Sequence, residues 1–376
     1  MRISLFPDLE LEGWKSMNLY AEHLARHLRR VNHQDEIVLV RVGPPDPIRG
    51  RKREGSSEQR EVFRYFWRYV VYPRKAARWS ADVNHILDHS YAHVVGRLNP
   101  QRTVITVHDL YPLRVIRSTP RTLREWIRRE VLLWVMDHLR QASWLIADSQ
   151  FVKREIVEFL GYPEHRIAVV PLGADHITVR GPEAGAAFRR RYAIDNRDRV
   201  ILHVGGCDER KNIRVLLLAL SELVRERRRD AVLVHIGESF RPEDRRVIEE
   251  HGLQPSLRLI ANATAEDLAA AYVAADVVVV PSTYEGFGLP AVEAMAAGTP
   301  VVGLRAAALP EVIGEAGLLV DDNTPSAFAD AIEKILSDPE KQQTLSRRGR
   351  ERVACLTWER TARFTNEVYR RIIEES

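Results

Sequence analysis

Short apolar runs alternate along the chain with longer stretches in which apolar residues recur every three or four positions. Apolar, β-branched runs predict strands buried on both faces, and the helical recurrence predicts amphipathic helices packed over them. In the first half this places strands at Ile3–Phe6, Ile37–Val42, Val83–Leu87, Thr103–Val107, Trp144–Ala147 and Ile167–Pro171. Helices are expected through Leu19, Leu24 and Leu28, over Thr122–Arg140 and over Gln150–Leu160. The turn Pro171-Leu172-Gly173 and the polar stretch Arg180-Gly181-Pro182 break the rhythm and read as a linker. The rhythm then restarts, with strands at Val200–Val204, Ala231–Ile236, Leu257–Ile260, Val277–Pro281, Val301–Val302 and Leu318–Val320. Helices are predicted between them over Asn212–Arg225, Pro242–His251, Ala265–Ala274, Pro290–Ala297 and Pro325–Ser337. A tail helix follows Cys355, with Trp358, Phe364, Val368, Tyr369 and Ile372 along one face.

The expected class is α/β, with two Rossmann-like domains facing a cleft. The division is residues 1–179, 180–355 and a tail helix over 356–376. At 376 residues the chain has the length for two such domains. Ligands of open parallel sheets bind beyond the carboxyl ends of the strands, so the useful residues are sought there.

Composition narrows the function. Apolar residues make up 45% and charged residues 29%, the balance of a folded protein. A formal charge of +4 over this length gives no support to nucleic-acid binding. Cys207 and Cys355 stand far apart in sequence, which suggests neither a disulfide framework nor a zinc site. Neither a signal peptide nor an apolar run of membrane-spanning length is read, so a cytoplasmic location is expected. Between Arg49 and Trp79 basic residues (Arg51, Lys52, Arg53, Arg60, Arg64, Arg68, Arg74, Lys75) alternate with Phe63, Tyr65, Phe66, Trp67, Tyr69 and Tyr72. Peripheral contact with an anionic membrane surface is one reading of that mixture; a solvated basic face with a few core aromatics is the other.

Two segments carry candidate chemistry. After Val200–Val204 comes Gly205-Gly206-Cys207-Asp208-Glu209-Arg210-Lys211-Asn212. Gly206 lets the backbone approach a ligand, the helix start offers N–H groups and Asn212 as N-cap, and Arg210 and Lys211 add cations. Fixed cations stabilise the charge that develops on a departing diphosphate. An ordinary strand–turn–helix with surface cations is the plain alternative. After Val277–Pro281 comes Ser282-Thr283-Tyr284-Glu285-Gly286-Phe287-Gly288-Leu289-Pro290-Ala291-Val292-Glu293. Backbone N–H groups around Phe287, Gly288 and Leu289 are placed to bind sugar hydroxyls, and Glu293 is able to accept from both hydroxyls of a ribose.

The spacing of Glu285 and Glu293 around Phe-Gly-Leu-Pro, with Gly205-Gly206 and Arg210-Lys211-Asn212 upstream, resembles family 4 of the retaining glycosyltransferases, which have the GT-B fold. Thr106-Val107-His108-Asp109, Ala147-Asp148-Ser149, Val170-Pro171-Leu172-Gly173-Ala174-Asp175, Leu309-Pro310-Glu311-Val312 and Trp358 extend the resemblance over most of the chain. It implies that the tail helix starting at Trp358 crosses back to pack on the first domain, and it fades between about Gly43 and Asn99.

The resemblance implies that Arg210 and Lys211 bind the donor diphosphate, Glu293 its ribose, and Glu285 with Phe287, Gly288 and Leu289 its sugar. His108 would contact the sugar from the other domain, which makes His108 and Glu285 the candidate catalytic residues. No Asp-x-Asp motif is present, so no metal and no cofactor are expected. The donor favoured is GDP-mannose, with a UDP-hexose as the other choice, and the acceptor is a glycan or a lipid-linked acceptor. Retention by a front-face route is favoured over double displacement. The first loop, Glu12-Gly13-Trp14-Lys15-Ser16, has a single glycine where the family has more. Gly13 is retained as a donor contact, with Lys15 as a phosphate contact or Trp14 as an acceptor platform in its neighbourhood. A GT-B nucleotide-sugar epimerase and a non-catalytic sugar-nucleotide-binding partner are the alternatives.

Overall fold

A computed structural model describes residues 1–43, 57–116, 122–177 and 181–375. The expected residues Arg49, Arg51, Lys52 and Arg53 of the basic segment, and the boundary between residues 179 and 180, lie outside the described residues. The side chain of Arg60 does too.

The chain divides into two compact units, Met1–Leu172 with Trp358–Ser376, and Gly173–Thr357. Each is built on one six-stranded sheet whose pairings are all parallel. The first sheet consists of β1 (Arg2–Phe6), β2 (Glu36–Leu39), β3 (Val83–Ile86), β4 (Thr103–Val107), β5 (Trp144–Ala147) and β6 (Ile167–Val169), in the order β2-β1-β3-β4-β5-β6. The second consists of β7 (Arg199–Gly205), β8 (Ala231–Gly237), β9 (Leu257–Ile260), β10 (Val277–Val280), β11 (Val301–Leu304) and β12 (Leu318–Val320), in the order β12-β11-β10-β7-β8-β9. Every residue of β3, β4, β5, β10 and β11 is buried, because helices cover both faces. That is why β5, β10 and β11 read as apolar runs, whereas β3 buries Asn84 and His85 and β4 buries Thr103 and Thr106 within the sheet.

The strand orders matter more than the strands. Winding reverses between β1 and β3 in the first sheet and between β7 and β10 in the second. At such a reversal the two flanking loops part in opposite directions and leave a crevice at the carboxyl end. The loops after β7 and β10, which carry the two candidate segments, therefore flank one switch point.

Several boundaries differ from the sequence expectation. Pro182 does not sit in a linker; it opens the helix Pro182–Arg191, consistent with its fixed φ at a first helical turn. The helix after the cationic turn is α-helical only over Ile213–Ser221 and continues as a π-helical stretch, Glu222–Glu226. The tail helix, Trp358–Glu374, packs within the first unit against the helix Lys15–Val31. Its buried stripe runs through Trp358, Ala362, Thr365, Tyr369 and Ile372; Phe364 falls beside it, only half-buried under Arg360. Three contacts anchor this helix: Trp358 stacks on His23, Tyr369 bonds His85 through its hydroxyl at 2.6 Å, and Asn32 donates to Asn366.

Candidate functional site

In the second unit, β7 ends in Gly205 and leads through Gly206 and Cys207 into a 3-10 turn, Glu209–Lys211. Glycine is required beside this turn: a Cβ on Gly237, the register partner of Gly205, would stand 1.7 Å from the Gly205 carbonyl oxygen. Asn212 does not act as the expected side-chain N-cap. Its backbone is left-handed (φ 55°), which turns the side chain away from the helix, and its amide donates to the Pro281 carbonyl at 3.0 Å and to Asn323. The Thr283 N–H donates to the Arg210 carbonyl at 2.8 Å. These two bonds clip the loop after β7 to the loop after β10.

The clip places Lys211 against Glu285, with Nζ donating to Oε1 at 2.6 Å. Burial alone would raise the Glu285 pKa, but the Lys211 ammonium, with help from Arg210, holds it below the ordinary carboxylate range. Glu285 is therefore ionised at neutral pH, suited to accepting from hydroxyls or facing developing positive charge, not to delivering a proton. Lys211 carries three N–H donors, and the Glu285 contact uses one. Arg210 lies 3.2 Å from Asp208 through Nε.

Gly288 is left-handed (φ +95°) and precedes the helix Leu289–Ala297, which has Pro290 in its first turn. A Cβ there would meet Leu309 at 2.9 Å, so the close packing of this loop depends on glycine. Phe287, Gly288 and Leu289 thus stand where a helix leaves N–H groups without intrahelical acceptors. On the same helix Glu293 is buried, and both of its carboxylate oxygens are engaged. Tyr272 donates its hydroxyl to Oε2 at 2.6 Å, and His176 donates Nε2–H to Oε1 at 2.8 Å. Neither partner was read from the sequence. Tyr272 lies within a helix predicted on periodicity alone, and His176 follows Asp175 immediately, at the end of the quoted pre-linker segment.

In the first unit, His108 follows β4 and is buried. Its partner is Asp148, after β5, and not the adjacent Asp109: Nδ1 lies 2.7 Å from Asp148 Oδ2, and Nε2 donates to the Leu87 carbonyl at 2.9 Å. Burial would lower the His108 pKa, but Asp148, then Asp88, outweigh it and push it up to about 10. His108 is an imidazolium at neutral pH with both nitrogens in use, so it holds no lone pair to act as a base. Asp8, two residues beyond β1, is also buried, and neither carboxylate oxygen has a partner among the described residues. Burial, reinforced by Asp88, pushes its pKa well up. The Glu12 carboxylate is covered by Arg68 at 3.2 Å, and the Arg68 guanidinium lies 4.5 Å over the Tyr91 ring. Gly13 ends the 3-10 turn Glu10–Glu12 in the left-handed region (φ 72°), Trp14 lies beneath Arg68, and Lys15 opens the helix that follows. Of these, Asp8, Asp88, His108 and Asp148 follow the ends of the adjacent strands β1, β3, β4 and β5.

Among the described residues no group of three or more His, Cys, Asp or Glu is arranged to hold a metal ion, and Cys207 and Cys355 are free thiols. No helix among them is long and apolar enough to cross a membrane.

Comparison with known proteins agrees with the architecture and the motifs. The family described as Glycosyltransferase Family 4 matches residues 17–178, and that described as Glycosyl transferases group 1 matches residues 186–352. A D-inositol 3-phosphate glycosyltransferase of Corynebacterium jeikeium is 33% identical over 94% of this chain and 91% of its own. The enzyme of the same name from Kineococcus radiotolerans is 35% identical over 62% of this chain, and the match spans 58% of that relative's length. An O-antigen chain mannosyltransferase B of Escherichia coli is 29% identical over 80% of this chain and 78% of its own. In fold the chain is similar to a sucrose-phosphate synthase of Thermosynechococcus elongatus, with a TM-score of 0.78, 24% identity and full coverage of both chains. With the family matched in both units, and with the cationic turn and the glutamate pair meeting at one switch point, the chain belongs to glycosyltransferase family 4, a nucleotide-sugar-dependent hexosyltransferase of GT-B fold.

Proposed function

We propose that the protein moves a hexose, mannose from GDP-mannose in the first instance, to a hydroxyl of a glycan or lipid-linked acceptor with retention at the anomeric carbon and without a metal ion. The observation that carries this reading is the buried Lys211–Glu285 pair clipped into the β7/β10 switch point beside Arg210. As the sugar–phosphate bond breaks, negative charge grows on the diphosphate, and Lys211 and Arg210 stabilise it more than they stabilise the intact donor. Positive charge grows at the same moment on the sugar, where the ionised Glu285 stabilises it. The acceptor proton passes to a departing phosphate oxygen on the same face, which fits a site whose carboxylate is held deprotonated. Glu293 holds the ribose and the Phe287–Leu289 backbone the sugar hydroxyls. The choice of mannose draws on the likeness to the Escherichia coli mannosyltransferase; UDP-hexoses are the second donor class to test.

The test is a thermal-shift screen of GDP-mannose, UDP-glucose, UDP-N-acetylglucosamine and UDP-galactose, followed by transfer assays in EDTA. A shift with GDP-mannose and turnover unaffected by EDTA are expected. A response to the uridine donors alone would overturn the mannose reading, and turnover restored only by a divalent ion would overturn the role given to Arg210 and Lys211. Conversion of the donor sugar to its epimer without an acceptor would favour the epimerase.

Peripheral membrane contact is proposed for the first unit on a separate observation. The helices Ser57–Phe66 and Leu123–His138 are tied by Glu61 to Arg124 and Arg128, and expose Val62, Phe66, Leu123, Trp126, Ile127 and Trp134. Apolar and aromatic side chains interleaved with arginines suit a headgroup boundary. Co-sedimentation with phosphatidylglycerol vesicles that is lost in Trp126→Ser/Ile127→Ser is expected; no sedimentation at low salt would end the idea.

A further inference from the structure

A carboxylate that is to grip a ribose needs more than a position on a helix. Its terminal torsion is broad and two-fold, so an unpinned Glu293 would rotate its oxygens away from a bound diol at little cost. Here the rotation is stopped from both sides. Tyr272, fully buried in the helix Ala265–Ala274, donates to Oε2, and its own carbonyl accepts from the Thr299 hydroxyl at 2.6 Å. His176 donates to Oε1 from a short turn in which Ala174 bonds the Leu356 carbonyl and Ile177 bonds the Ala174 carbonyl. The two pins come from separate segments and act on separate oxygens, which fixes the plane of the carboxylate.

The pins also set what remains. An ionised carboxylate has about four acceptor positions. With one taken on each oxygen, each oxygen keeps one lone pair. That complement suits two adjacent O–H donors, the 2′- and 3′-hydroxyls of a ribose. A deoxyribose brings one donor and leaves a buried lone pair unsatisfied, which sites built around a substrate hydroxyl penalise heavily.

We propose that Tyr272 and His176 are positioning residues that orient the Glu293 carboxylate toward both ribose hydroxyls, and that they make the protein select ribonucleoside over 2′-deoxyribonucleoside diphosphate sugars. This rests on the assignment of Glu293 to the ribose. Sugars carried on deoxythymidine diphosphate are then poor donors, whatever base the site reads.

Isothermal titration of the full-length protein with GDP and UDP, each beside its 2′-deoxy counterpart, tests this. For whichever base binds, the wild type is expected to hold the ribonucleotide about tenfold or more tighter than the deoxynucleotide, the worth of one hydrogen bond to a charged group. In Tyr272→Phe and His176→Leu the ratio should shrink several-fold, with deoxynucleotide affinity nearly unchanged, and His176→Gln, which keeps an N–H donor, should restore it. A wild-type ratio near one, or variants that weaken both nucleotides equally, would overturn the proposal. If Glu293→Gln keeps the wild-type ratio, the ribose assignment itself fails, and the pinned carboxylate serves another group. Should Tyr272→Phe fail to fold, His176→Leu against His176→Gln still decides, because only the second keeps an N–H donor.

Discussion

In each unit a buried charge beside the switch point is kept ionised chiefly by a partner from a neighbouring strand end, Glu285 by Lys211 and His108 by Asp148. The pairs differ in what they leave open. Lys211 contributes one of its three donors to Glu285, so the pair is able to admit a diphosphate without breaking. His108 has committed both nitrogens, to Asp148 and to the Leu87 carbonyl, and a ligand that bonded its ring would have to displace one of them. The same architecture has thus produced a pair whose ammonium spends one of three donors in one unit and a pair whose ring has both nitrogens committed in the other. Removing Lys211 should cost rate as well as stability, because Glu285 is left buried without its counter-ion, and breaking the His108 pair should chiefly cost stability.

The sharpest way to break that contrast is Lys211→Ala. Loss of one fixed charge from a leaving-group site should lower kcat about 100- to 1000-fold, read as initial transfer rate at saturating donor. A variant within a few-fold of wild type would show that the pair is structural like its counterpart.

Next in size is Asp148→Asn, which leaves His108 buried without its counter-ion and should cost about 3–5 kcal/mol at neutral pH, measured by urea denaturation. The pH dependence has a definite sign. The folded pKa of His108, about 10, lies above its unfolded value near 6.5, so the stabilisation is complete below about 6.5 and is lost as pH rises through about 10. The stability gap between wild type and Asp148→Asn should therefore narrow from pH 7 to pH 10. A gap that stayed constant would mean that His108 is neutral in the native protein.

The smallest expected effect belongs to Gly288→Ala. A left-handed φ and the 2.9 Å approach of Leu309 predict a loss of about 1–3 kcal/mol, visible as a lowered Tm, together with weaker donor binding from a displaced Phe287–Leu289 backbone. Unchanged donor affinity would remove that backbone from the site.

Most of the strands were legible because strands buried on both faces announce themselves as apolar runs; Val277–Val280 is one such run with no polar interruption. The helix start within the glutamate segment was legible because Pro290, with its fixed φ, suits a first helical turn and the glycines before it mark a loop. The residues that finish the site were not. Tyr272 reads as one more apolar position in a helix, and His176 as a polar residue in a turn; their meeting on Glu293 depends on contacts across 21 and 117 residues of chain. Asp148 carried a local signal, the Ser149 cap that accepts from Val152, which pointed to the helix start and away from His108.

The sequence by itself therefore determined two parallel α/β sheets, a cationic turn after one strand and a glutamate pair after another, since each of these is local in the chain. Only the tertiary structure decided that β7 and β10 are neighbours at a reversal of strand order, which brings Lys211 onto Glu285 from 74 residues away. Only it decided the ionisation of His108 and Glu285 as well. Burial opposes the charged form of both groups, and the direction of the result depends on which partner stands within hydrogen-bond reach, a property of the fold and not of the neighbouring residues in the chain.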